Sequence, residues 1–308
     1  MSWKNTHCLN QLISMMLISA VKLVQIFCQI DDCCTLFEQK FQALLLAADH
    51  AKSVHSTNKP ALALSEIMCI EVRYHLSGYK CFEYFYRDQV AQGSLRTYFP
   101  KAPSYNRFVE LKPSMLVALI CYLHLHALGR MIGIYYAGST LLKVCRNQRI
   151  ASHKVFKDRA RRGKTAMGWC YGFKLFVVIN GLGELAGALL TPANVGDSNG
   201  GVIRRLFKGL KGLSFANKGF LNGKAAAVIE QGLRLVTSIR SNRKNSLMEL
   251  NHKLLLKKRG IIESVHDILK TVCDIEHSRH RSPVNMLVNT YAALIAYSTL
   301  ERKLSIFI

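Results

Sequence analysis

Along the first third of the chain, from residue 23 to about 126, apolar positions recur at helical spacing. The run Leu62–Leu76 (LALSEIMCIEVRYHL) predicts a helix with Ser65 as its N-cap and Gly78 near its stop, and Cys81–Val90 begins another. Two helices about a glycine-containing turn suit a helix-turn-helix, and equally any helical domain. His50–Pro60 is polar and reads as a loop. After Gly133 the period shortens. Ile134–Ala137 and Leu141–Cys145 read as strands, and Tyr171–Asn180 (YGFKLFVVIN) is the clearest strand of all. Gly181–Gly183 turns it into an antiparallel partner, Glu184–Leu190. A helix is predicted over Asp197–Lys208, a strand over Leu213–Ala216, a helix over Lys224–Gln231 and a strand over Leu233–Ile239. A long helix follows over Asn251–Val272, and Pro283 opens the last as an N1 proline.

Strands first, then helix, strand, helix, strand, helix is the order of the RNase H-like fold, an α/β architecture in which helices flank a mixed sheet. Here it follows a mainly helical N-terminal domain. In that topology the first strand ends beside the fourth, and a late helix aims a third residue at the same point. Gly138, Asn217 and Glu263 fall on those three places. A metal-dependent nucleic-acid-cutting core would carry a carboxylate at each, and only Glu263 is an acid.

Charge sharpens the picture. Forty-two Lys and Arg against 19 Asp and Glu leave a net charge of +23, which points to a polyanionic partner. Nine of those cations lie in one segment with Asp158 as its only acid: Lys143, Arg146, Arg149, Lys154, Lys157, Arg159, Arg161, Arg162 and Lys164. Phosphate-backbone contact is the natural role for them, and a functionless surface loop is the plain alternative. Arg240–Lys244 and His277–Arg281 (HSRHR) are further basic clusters, the second bringing in Arg279 and Arg281. The ten cysteines form no CxxC pair and read as reduced thiols of a cytosolic protein, with a zinc site from distant residues as a minor alternative. Leu12–Val21 is too short to span a membrane and is followed by Lys22, and Met286–Tyr297 is also too short, so no membrane partner is expected.

A set of short blocks is more specific. LSEIM (64–68), HLSG (75–78), SYNRFVEL (104–111), Ser139-Thr140, KVC (143–145), HKVFK (153–157), RGKT (162–165), GFKL (172–175), TPANV (191–195), Lys218-Gly219, IIE (261–263) and EHSRHRSP (276–283) follow one another in order. In this pattern the chain resembles the DDE transposases of bacterial insertion sequences over about residues 23–300. The resemblance implies a divergent segment at 1–22, a helical DNA-binding domain at 23–130, an RNase H-like DDE domain at 131–300 and a tail at 301–308.

The resemblance also implies two-metal phosphoryl transfer on DNA, with Mg²⁺ or Mn²⁺ about 3.5–4 Å apart on three carboxylates. Glu263 would be the retained acid. Gly138 and Asn217 would stand where the aspartates are missing, Asn217 keeping one carbonyl oxygen as a ligand. Asp197 and Asp267 are the acids nearest in sequence that could substitute, against an ordinary reading as solvated surface carboxylates. Arg259 and Lys270 match an R-x3-E-x6-K spacing whose cations contact substrate phosphate in the family, although Leu256 stands where its usual tyrosine would be. The implied partners are double-stranded DNA, as terminal inverted repeats and target, and a second copy in a homodimer, on the nucleoid of a bacterial cytoplasm. The alternative is a non-catalytic DNA-binding protein or an inhibitor of an active relative.

Overall fold

The two strands expected on either side of Gly138 are one twelve-residue strand, β1 (Ile134–Cys145). It is not interrupted at Gly138-Ser139-Thr140 because β3 (Gly168–Asn180) pairs across it, with Gly138 opposite Val177, Ser139 opposite Phe176 and Thr140 opposite Leu175. The computed structural model describes residues 20–47, 61–165, 168–220, 232–237, 249–276 and 280–306. The helix expected over Lys224–Gln231 and the loop expected over His50–Pro60 lie outside these residues. The chain divides into two units. One holds the residues up to His126 with Val272–Ile275 and Val284–Thr299, and the other Ala127–Thr271, Glu276–Pro283 and Leu300–Ile308.

In the first unit the described elements are helical. They are α1 (Ala20–Ala47), α2 (Leu64–His75), α3 (Phe82–Phe85, continuing as a π-turn to Ala91), α4 (Tyr105–Leu111) and α5 (Leu116–Tyr122). Most of a late helix, Pro283–Thr299, also belongs here, and Asn289 Nδ2 donates to Ile275 O at 3.4 Å. Ser65 does not cap α2. Its hydroxyl donates to Asp31 Oδ1 at 2.5 Å, and the cap position is Ala63, whose N–H donates to Glu66 Oε2 at 2.7 Å. Residues Tyr105–Ala127 form the one described helical stretch long and apolar enough to cross a membrane, and its sequence did not single it out. It buries Phe108, Met115, Leu119 and Leu123 and carries Lys112, whose ammonium lies 2.9 Å from the buried Glu71 carboxylate. A buried ion pair beside it and packed side chains on one face are features of a helix folded against protein.

The second unit is a six-stranded mixed sheet flanked by helices, as an RNase H-like domain requires. Its other strands are β2 (Arg161–Thr165), β4 (Leu185–Pro192), β5 (Gly212–Ala216) and β6 (Leu233–Thr237). The order is β2-β3-β1-β5-β6, with β4 also on β3. β2 pairs with residues 168–172 of β3 and β4 with residues 173–179, so both lie along the same edge of β3. β2 was not expected, because its residues RRGKT show no apolar alternation. The described helices of this unit are α6 (Gly200–Leu206), α7 (Leu250–Lys257) and α8 (Ile261–Thr271), and the late helix Pro283–Thr299 of the first unit is α9. α6 starts later than expected because Asn199, not Asp197, caps it, its Oδ1 accepting from the N–H groups of Gly201 and Val202. The long helix expected over Asn251–Val272 is two, α7 and α8, separated by a 3₁₀ turn at Lys258–Gly260.

β1 is buried on both faces, and alternation sends its side chains two ways. Tyr135 and Ala137 join Phe176, Ile203, Phe207, Ala216 and Phe220 in one core. Tyr136 points the other way, stacks on Phe215 and donates to Leu255 O of α7 at 3.3 Å.

Candidate active site and nucleic-acid interface

The parallel register of β1 and β5 places Ala137 beside Ala216. Gly138 and Asn217, the residues that follow them, are therefore neighbours. Gly138 is buried on the Tyr136 side and faces α8. A Cβ built on it would stand 2.9 Å from Ile262 Cγ1 and 2.9 Å from His266 Cε1. Glu263 follows Ile262 in that helix, which packs beside Gly138 in the middle of β1.

The donor groups at this point are committed elsewhere. Glu263 is 54% exposed, and its Oε1 accepts from Arg259 Nη1 at 2.6 Å. Asn217 Oδ1 accepts from the Gly219 N–H at 3.0 Å. His266 brings its imidazole against Gly138 through Cε1. It is 7% exposed, and its Nε2 has no hydrogen-bond partner among the described residues. Burial, with the Lys270 ammonium one turn on, pulls its pKa down to about 4, so the ring is neutral.

A polar cluster that sequence reasoning missed lies on the opposite face of β1. Asp197 Oδ1 accepts from Ser139 Oγ at 3.0 Å and from Lys174 Nζ at 3.1 Å. Its carboxylate is 19% exposed, so it is not the solvated surface acid expected. A Cβ on Gly219 would lie 3.0 Å from Asp197 Oδ2 and 3.1 Å from Asn217 Oδ1, which puts those two oxygens within about 6 Å of each other. Asp197 thus borders Asn217, but approaches it from the Ser139 side, away from Gly138 and α8. Asp267 is exposed on α8. The one hint of this cluster in the sequence was that Lys174 and Ser139 both fall in the blocks that carry the resemblance.

The residues present do not fit a pair of divalent ions. Gly138 has no donor atom, Asn217 has a neutral amide, Glu263 is paired with Arg259, and Asp197 is neutralised by Lys174. Among the described residues, no three His, Cys, Asp or Glu side chains are grouped to hold a metal ion. The nine described cysteines are all free.

The basic segment matches its expected role more closely. All nine cations from Lys143 to Lys164 are exposed. The segment is anchored and not a loose loop. Phe156 and Ala160 are buried, Tyr171 Oη donates to Phe156 O at 3.0 Å, and Arg161–Thr165 is a strand. Lys270 and Arg259 differ from these nine. Lys270 Nζ donates to Leu141 O at 2.7 Å and lies 3.0 Å from Glu276 Oε2, while Arg259 holds Glu263. Arg281 is exposed, and Arg279 lies outside the described residues.

The pairing of β1 with β3 and β5, the flanking helices and the placement of positions 138, 217 and 263 describe a DDE-type nuclease core in outline. The model of the Transposase DDE domain family matches residues 128–283, and the chain belongs to that family. No curated protein and no solved structure matches it. Transposases of this kind act on DNA, and the family generally uses divalent metal ions.

Proposed function

We propose that this chain is the transposase of a bacterial insertion sequence that still binds the ends of its element but has lost strand cleavage. The observation that carries the loss is the donor set at the three positions: one exposed glutamate, a glycine and an asparagine whose oxygen is already engaged. Two divalent ions repel each other, and bridging carboxylates are what hold them together. Losing even the groups that orient a metal's ligands costs about 10–100-fold, and two missing ligands cost more.

DNA binding is supported by the net charge of +23 and by nine exposed cations on an anchored segment. Duplex DNA is the partner, with terminal inverted repeats as the specific sites, and the working form is a homodimer on the bacterial nucleoid. Such a protein would occupy element ends and, in mixed assemblies, hold back an intact relative. Two measurements test this. Inverted repeats should flank the gene, and the purified chain should shift a duplex carrying them at a lower concentration than a scrambled duplex. Equal affinity for both would remove the end-binding role.

A further inference from the structure

Trp169 is the largest exposed aromatic side chain described, 54% open to solvent at the start of β3. It stands directly opposite Lys164 of β2. The Lys164 ammonium and the Arg162 guanidinium each lie 5.8 Å from its ring centroid, at the outer edge of cation–π range. Both lie over the ring, yet the indole remains 54% exposed, so surface is left open for a further flat partner. The backbone around it is held, because Asn147 Nδ2 donates to Trp169 O at 2.8 Å and Gly168 supplies the φ of +113° that the chain needs just before it.

An indole left exposed costs free energy unless something covers it. Its surroundings limit what that can be. Seven other exposed cations share the segment that carries Lys164 and Arg162, which disfavours an apolar protein face. A ligand that brings a flat π-face together with a row of anions is a nucleic acid. Within a duplex the base faces are already stacked, so the indole needs a base that is unpaired or at a strand end.

We infer that Trp169 is a stacking platform for an unpaired DNA base, with Arg162 and Lys164 holding the phosphates on either side of it. This inference rests on the DNA-binding reading of the basic segment and adds to it a base contact that charge alone would not make.

The test uses the full chain with Trp3→Phe, which leaves Trp169 as the sole tryptophan of the original two. Two duplexes of identical sequence are compared, one with a 3′ tail of three thymidines and one with three abasic sugars, so that phosphate number is constant. The thymidine tail should quench Trp169 emission and bind more tightly, and the abasic tail should do neither. Trp169→Ala should abolish the preference, a loss of about 5–150-fold for the thymidine tail, and leave binding to the abasic tail within about twofold. Trp169→Phe should keep part of the preference, which separates lost stacking from a folding defect. Equal quenching by both tails, or a preference that survives in Trp169→Ala, would overturn the inference while leaving the phosphate reading intact. Failure of either duplex to bind would overturn both.

Discussion

The imidazole of His266 lies against the α-carbon of Gly138, so close that a Cβ there would stand 2.9 Å from its Cε1. Ile262 closes the same space, its Cγ1 also 2.9 Å away. The position at which the resemblance implies an aspartate is therefore filled from the opposing helix. Ile262 and His266 leave no room there for a larger side chain without a shift.

Gly138→Ala should accordingly destabilise the protein by about 1–3 kcal/mol, the usual cost of forcing extra volume into a packed core. Urea unfolding measures it. Combining the change with His266→Ala should recover part of the loss, since one of the two obstructing groups is gone. An alanine variant as stable as the parent would show that α8 yields freely.

The neutral state of His266 has a pH signature. Its pKa falls from its ordinary 6.5 to about 4 on folding, because burial disfavours the charged ring. Between those values the unfolded chain binds a proton that the folded chain does not. Stability from this residue is full above about pH 6.5 and declines as pH drops toward 4, by roughly 3 kcal/mol in all. His266→Phe should flatten that part of the stability profile. A parent His266 ring that titrates near 6.5 by NMR would contradict it.

Salt dependence probes the basic segment. Replacing Arg161, Arg162 and Lys164 by alanine should reduce the slope of log K against log salt by about 3, at roughly 0.9 for each phosphate no longer neutralised. Fluorescence anisotropy at several salt concentrations reads this directly. An unchanged slope would place the phosphate-binding groups elsewhere.

Lys270 should behave differently. Its ammonium is held by Leu141 O and Glu276, so Lys270→Ala should cost about 1 kcal/mol of stability. The salt slope should change by less than for Lys164→Ala. A larger effect on DNA than on stability would restore Lys270 to the phosphate-binding set.

The architecture was legible where apolar alternation is strong. β1, β3 and β5 were all visible from it, and with them the meeting of positions 138 and 217. β2 was not. Its charged residues suit an edge strand held by backbone bonds to β3, and such a strand carries no apolar signature. The break between α7 and α8 falls at Gly260, a weak helix former that periodicity alone passes over. The Asp197 cluster was illegible for another reason. Ser139, Lys174 and Asp197 come from three separate segments, and only the register of β1 against β3 brings them together. His266 looked like one polar residue among several on α8, and its burial depends on the glycine opposite.

Whether the donor set around β1 can still cut DNA decides the function of this chain. The direct measurement is Mg²⁺- and Mn²⁺-dependent nicking of a duplex carrying the element ends, by the unmodified chain and by its Glu263→Gln variant. The prediction is that neither nicks above the protein-free background. Nicking by the unmodified chain that disappears in Glu263→Gln would contradict it, and would show that other residues, Asp197 and Asp267 first among them, complete the site.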